Sequence, residues 1–180
     1  AWGAGPRTEE LVRLYDRGVA LVEQHRHAEA IPVFDEVLRS APDWNAARVN
    51  LAIALLNDQK DLERADRELN KVLESEPQNP WANYTLSMLY KHLGENAKAQ
   101  EGLEAVLKAD PRSADAHVGL RTILASEGKL EDAIAHFQEA KQIDPYLIPA
   151  HYGLGRALMQ GGKTEEGQKE LQEFQALRAG

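Results

Sequence analysis

Six histidines and 29 carboxylates, with no cysteine, are the groups through which this 180-residue chain could do acid–base or metal chemistry. Their spacing argues against it. There is no HExxH, no glycine-rich phosphate loop and no GxSxG. His117 and His151 fall in the same column of successive repeats. Neighbouring helices stand about 10 Å apart, too far for the two to share an ion, so they are read as structural. His25 and His27 flank a turn and are expected to face water. The carboxylates Glu9-Glu10, Glu165-Glu166 and Asp61 with Glu63 lie at helix starts, where they complement the helix dipole. Thr8 and Thr164 read as N-caps. The absence of cysteine excludes disulfides and thiolate metal sites. This reading assigns no catalytic residue, no metal site and no cofactor.

The remaining chemistry is recognition, and it depends on what positions the aromatic residues. Pro42, Pro77, Pro111 and Pro145 are spaced by 35, 34 and 34 residues, a period that marks a repeat array. Aligned on these prolines, Ala30, Ala65, Ala99 and Ala133 form one column. Phe34, Leu69, Leu103 and Phe137 form a second, and Val37, Val72, Val106 and Ala140 a third. Spacings of 4 and then 3 trace one stripe of a helix, which the proline then closes. Gly167, Leu171 and Phe174 continue the pattern in a fifth unit. An earlier stripe in each unit, such as Ala47-Leu51-Leu55 and Ala116-Leu120-Leu124, predicts a preceding helix. Gly94, Gly128 and Gly162 stand in the intervening turns, which need a positive φ. The extra residue of the 35 falls in Asn57-Asp58-Gln59-Lys60. Helix pairs are predicted at 8–24 and 28–40, 45–57 and 61–75, 80–92 and 95–109, 114–126 and 129–143, and 148–160 and 164–178, with no strands.

These columns resemble the tetratricopeptide repeat (TPR) family from Leu11 to about Ala179. The small residues Gly18, Ala52, Ser87 and Gly155 on first helices match it. So do Ala30, Ala65, Ala99, Ala133 and Gly167 on second helices. The resemblance implies an all-α, right-handed α-solenoid of stacked antiparallel helix pairs. The expected organisation is a linker or expression remnant over 1–7, then one array over 8–180. Its units cover about 11–44, 45–79, 80–113, 114–147 and 148–180. Two departures stand out. Arg17 replaces an apolar residue, and Arg121 sits in the small column, where it must reach outward or spread its helix pair.

In the resembled family, first helices line a concave groove that binds partners. Carried over, the groove residues are Tyr15, Asn50, Ile53, Trp81, Tyr84, Met88, Gly119, Tyr152, Gly153 and Arg156. The aromatics are rigid anchors. Gly119 and Gly153 are expected to leave a hollow flanked by Tyr84 and Tyr152. Asn50 is expected to meet a peptide amide with donor and acceptor together. Val12, Val49, Ile53 and Val118 are expected to pack on neighbouring helices. A carboxylate clamp used by a chaperone-binding subset is matched only at Asn50, since Tyr15, Val19, Trp81 and Thr85 supply no base.

The leading expectation is a non-enzymatic scaffold holding an extended segment or helix of a partner protein. The alternative is self-association, as a homodimer, or docking within a larger protein, through Leu171, Phe174 and Leu177 at the uncapped last pair. A net charge of −8 argues against nucleic acid. The strongest apolar stretch, Leu51 to Leu56, is far too short for membrane insertion. Either the cytoplasm or the periplasm suits the chain.

Overall fold

The computed structural model describes residues 8–179; the linker read over 1–7 lies outside them. Among the described residues ten helices follow one another: α1 (Glu9–Glu23), α2 (His27–Ser40), α3 (Asn45–Asp58), α4 (Leu62–Ser75), α5 (Pro80–His92), α6 (Asn96–Ala109), α7 (Ala114–Ser126), α8 (Leu130–Ile143), α9 (Ile148–Gln160) and α10 (Thr164–Ala179). No strand occurs among the described residues. The chain divides into two compact units, one ending at Leu89 and the other starting at Tyr90, so the division falls within α5.

The alanine column is sealed in both units. Ala30 and Ala65 in the first, and Ala99 and Ala133 in the second, have no exposed surface. The large column beside it (Phe34, Leu69, Leu103, Phe137) is equally buried. These residues fill the space that the small side chains leave between paired helices. The missing Cβ of Gly18 would lie 2.7 Å from the Phe34 ring, and that of Gly155 2.8 Å from Leu171 Cγ. Bulk at either position has nowhere to go. Arg17, the other departure, is exposed on α1.

The turns follow the glycines. Gly94, Gly128 and Gly162 have φ of 78°, 77° and 82°. The two units without such a glycine place an ordinary residue there instead, His25 and Gln59, each with φ 58°. The inserted residue is absorbed by extending α3 to Asp58, after which Gln59 makes the left-handed exit. Thr8 caps α1, accepting from Leu11 N at 3.3 Å. Thr164 does not serve as an N-cap; it is the first residue of α10. His27 opens α2 and is half-buried rather than turned to water, with Nδ1 enclosed and without a hydrogen-bond partner.

One interaction recurs at every rung of the proline ladder. The residue six positions after each proline returns a hydrogen bond to its carbonyl. Arg48 donates to Pro42 O. Asn83 Nδ2 donates to Pro77 O at 3.1 Å, His117 Nε2 to Pro111 O at 3.0 Å and His151 Nε2 to Pro145 O at 2.8 Å. The carbonyls stranded where one repeat ends are thereby satisfied by the next repeat's first helix. This is what His117 and His151 do structurally.

Candidate functional site: an aromatic cleft in the N-terminal unit

The α1, α3 and α5 faces of the N-terminal unit enclose a cleft of about 560 Å³ lined by Tyr15, Trp44, Asn45, Val49, Asn50, Ile53, Asn79 and Trp81, with Asp43 and Glu76 at its acidic edge. It gathers four of the residues singled out from sequence: Tyr15, Asn50, Ile53 and Trp81. It also brings in Trp44, which repeat alignment missed because it precedes α3 instead of lying on a helical stripe. Trp44 is 6% exposed, and Tyr15 stacks on it with ring centroids 4.5 Å apart. Phe34 meets Tyr15 edge-on at 6.1 Å. The Tyr15 ring is therefore fixed before any ligand arrives. Trp81 is the opposite case, an indole 69% exposed at the cleft rim.

Asn50 corrects its expectation. Its amide nitrogen donates to Tyr15 Oη at 2.9 Å and to Ala46 O at 3.1 Å. Both amide hydrogens are engaged, so a ligand meets only the carbonyl oxygen, as an acceptor. At the acidic edge, Asn45 and Asn79 donate to Glu76 at 2.9 and 2.6 Å. These bonds, Asn45's first and Asn79's second, hold the Glu76 carboxyl below its ordinary value. Val49 is buried and Ile53 half-buried, as expected of packing residues, whereas Val12 is 38% exposed. Tyr84 and Met88, also in this unit, are half-buried on α5 and outside the cleft lining.

The C-terminal unit holds the other candidates. Gly119 and Gly153 are both buried, and the side-chain hollow expected beside Gly153 is filled. A Cβ on Gly153 would stand 1.7 Å from the Phe137 ring and 2.3 Å from an Arg121 guanidinium nitrogen. Arg121 thus neither reaches fully into solvent nor simply parts its helices. It folds over the Phe137 ring at 3.6 Å, and Gly153 on the next first helix leaves it room. Its Nε is buried without a partner. Burial, and then neighbouring Arg156, bring its pKa down to about 10. Burial, and then Arg121, also lower Lys91. Tyr152 is 43% exposed, with Arg156 at 5.9 Å from its ring centroid. Phe174 lies against the other side of this surface, 5.1 Å from Tyr152. Val118 is half-buried, packed against the α8–α9 core.

Family models agree with the repeat geometry. One tetratricopeptide repeat model matches residues 56–122 and 124–178, and a second matches 15–80. The chain belongs to the tetratricopeptide repeat family. No curated protein matches the sequence. Among solved structures, MamA residues 41 to the end from Desulfovibrio magneticus RS-1 superposes with a TM-score of 0.78 at 22% identity, covering 96% of this chain and 97% of that one. A further structure described as MamA gives a TM-score of 0.75 at 21% identity over 90% and 94% of the two chains. At that identity the likeness establishes the fold, an all-α tetratricopeptide solenoid. Membership of the family makes this chain a protein-interaction scaffold in the general sense, a class that is not catalytic as a rule.

Proposed function

We propose that the N-terminal cleft holds an extended segment of a partner protein. The exposed Trp81 indole beside a pre-stacked Tyr15–Trp44 pair is the observation that carries this reading. Large rigid aromatics at the mouth of a cleft supply contact area with little loss of side-chain freedom. An apolar side chain of the segment seats between Trp44, Ile53 and Trp81. A backbone N–H of the segment donates to the Asn50 carbonyl. Asp43 and Glu76 favour a lysine or arginine next in the segment. In the C-terminal unit, Tyr152 and Arg156 offer a smaller surface for the same kind of ligand.

The test is selection from a displayed peptide library, with binding measured on purified protein. Selected peptides should combine an apolar and a basic residue. Trp81→Ala should weaken them at least about tenfold, as expected for a tryptophan anchor, with helical circular dichroism unchanged. Peptides that bind Trp81→Ala as well as the parent protein would remove the cleft from the account.

A second reading rests on the Tyr152–Phe174 surface. Leu171 packs onto Gly155 within its own helix pair, so self-association would run through Phe174 and Leu177, both half-buried, next to Met159, which is 41% exposed. Phe174→Glu should then shift a concentration-dependent sedimentation profile to the monomer. A parent protein that sediments as a monomer at every concentration rejects this reading.

A further inference from the structure

The hydrogen bond from His117 to Pro111 has a consequence for the other face of the ring. Nε2 faces a carbonyl, which can only accept, so Nε2 carries the proton and Nδ1 of the neutral ring presents a lone pair. That lone pair points at His136 Nδ1, 3.1 Å away on α8. Glu139 Oε2, one turn further along α8, lies 3.4 Å from His117 Nδ1 and 3.7 Å from His136 Nδ1. Three donor atoms therefore converge on one point. With both rings neutral, the single proton on His136 Nδ1 serves the contact between the rings and leaves Glu139 Oε2 beside two nitrogens without a donor of its own.

A small divalent cation resolves this arrangement. Donors bound to zinc at about 2.0–2.1 Å in tetrahedral geometry stand about 3.3 Å from one another. The three observed separations of 3.1, 3.4 and 3.7 Å bracket that value. Two imidazoles and one carboxylate form a donor set suited to zinc, with a fourth position left for water. The Pro111 carbonyl is the outer partner that fixes the ring orientation of a ligating histidine. His117 is 5% exposed, which gives the site a rigid floor. The Glu139 side chain is 58% exposed, which gives a path in from solvent.

The next repeat provides an internal comparison. Shifted along by the repeat, His117, His136 and Glu139 become His151, Glu170 and Glu173, which also converge. There, Lys141 from α8 bonds both Glu170 oxygens at 2.7 and 2.8 Å and lies 3.5 Å from Glu173. The protein thus supplies its own cation at that register. The residue equivalent to Lys141 for the upper triad is Leu107, which supplies none. We infer that His117 Nδ1, His136 Nδ1 and Glu139 Oε2 form a binding site for Zn²⁺ that ties α7 to α8.

Burial, and then His117, lower the His136 pKa, against the opposing pull of Glu139, Asp132 and Glu104. The same three carboxylates draw a cation toward the site.

The experiment titrates the metal-stripped full chain with Zn²⁺ by calorimetry, and with Co²⁺ by its tetrahedral absorption. One equivalent should bind, and Zn²⁺ should raise the melting temperature by several degrees. His136→Gln and Glu139→Gln lie at accessible positions, so they should retain parent-like helical content. Each should lose at least tenfold in affinity along with the thermal shift. Glu173→Gln, at the register served by Lys141, should bind as the parent does. No binding by the parent, equal binding by His136→Gln and Glu139→Gln, or loss in Glu173→Gln alone would overturn the assignment.

Discussion

At the scale of single residues, Arg121 carries a buried donor without a partner. A buried, unpartnered donor costs about 1–3 kcal/mol, while a cation over a ring returns about 0.5–1 kcal/mol at an exposed site and about 2 kcal/mol where it is desolvated. Burial of the guanidinium, which brings its pKa down to about 10, adds to the cost. Arg121→Met keeps an unbranched stem on Phe137 and removes the charge, so it should stabilise the chain by about 1 kcal/mol in chemical denaturation. Gly153→Ala should do the reverse. Its methyl group would collide with a fully buried ring, and overpacking of this kind costs about 1–3 kcal/mol. Repeat alignment identified Arg121 as the misfit of its column, but not its resolution. Periodicity says which face a side chain leaves from, not which neighbour receives it. Gly153 was read as a hollow for a ligand because its occupant comes from the preceding repeat, off the column.

Glu68 belongs to the same scale. Burial pushes its carboxyl upward, but bonds from Arg48 and Lys71 outweigh this and hold it below its ordinary value of 4.5. A carboxyl depressed in the folded state contributes stability that is present above its unfolded pKa and lost as pH falls through the folded one. Acid unfolding of the parent should therefore include a component below pH 4.5. Glu68→Gln should remove that component and flatten the stability curve there. A curve of unchanged slope would show that the Arg48–Glu68 pair contributes nothing.

At the scale of helices and turns, the proline and glycine columns made the fold legible. Predicted helix limits agree with those observed to within a residue or so, because prolines end the second helices and positive-φ glycines end most of the first. The two turns lacking glycine put a non-glycine residue in the left-handed region, which costs about 1–2 kcal/mol for an L-residue. Gln59→Gly, at φ 58°, should stabilise by about 0.5–1 kcal/mol once glycine's own entropy is counted. Gly94→Gln, the same exchange reversed at φ 78°, should destabilise by a similar amount. The carbonyl bonds of the proline ladder were not legible, since Arg48, Asn83, His117 and His151 share a position and a task but not a chemical type. Asn83→Ala removes the side-chain bonds to Pro77 and Asn79 and should cost about 0.5–1.5 kcal/mol, the net worth of an ordinary hydrogen bond.

At the scale of the whole molecule, stacked helix pairs free the first helices to carry recognition residues that a compact domain would bury. In the N-terminal unit this yields a cleft with a fixed aromatic wall and an open indole. Tyr15, Asn50, Ile53 and Trp81 were legible as surface residues of first helices; Trp44, Asn45 and Asn79 were not, because they lie between helices or at their ends. The most direct measurement of the central claim is a backbone and indole N–H chemical-shift map of the labelled protein, titrated with a library-selected peptide. The account predicts that shifts concentrate on the indoles of Trp44 and Trp81, the Asn50 side chain and the residues around Tyr15. Shifts that leave both indoles unmoved while the peptide binds would contradict it.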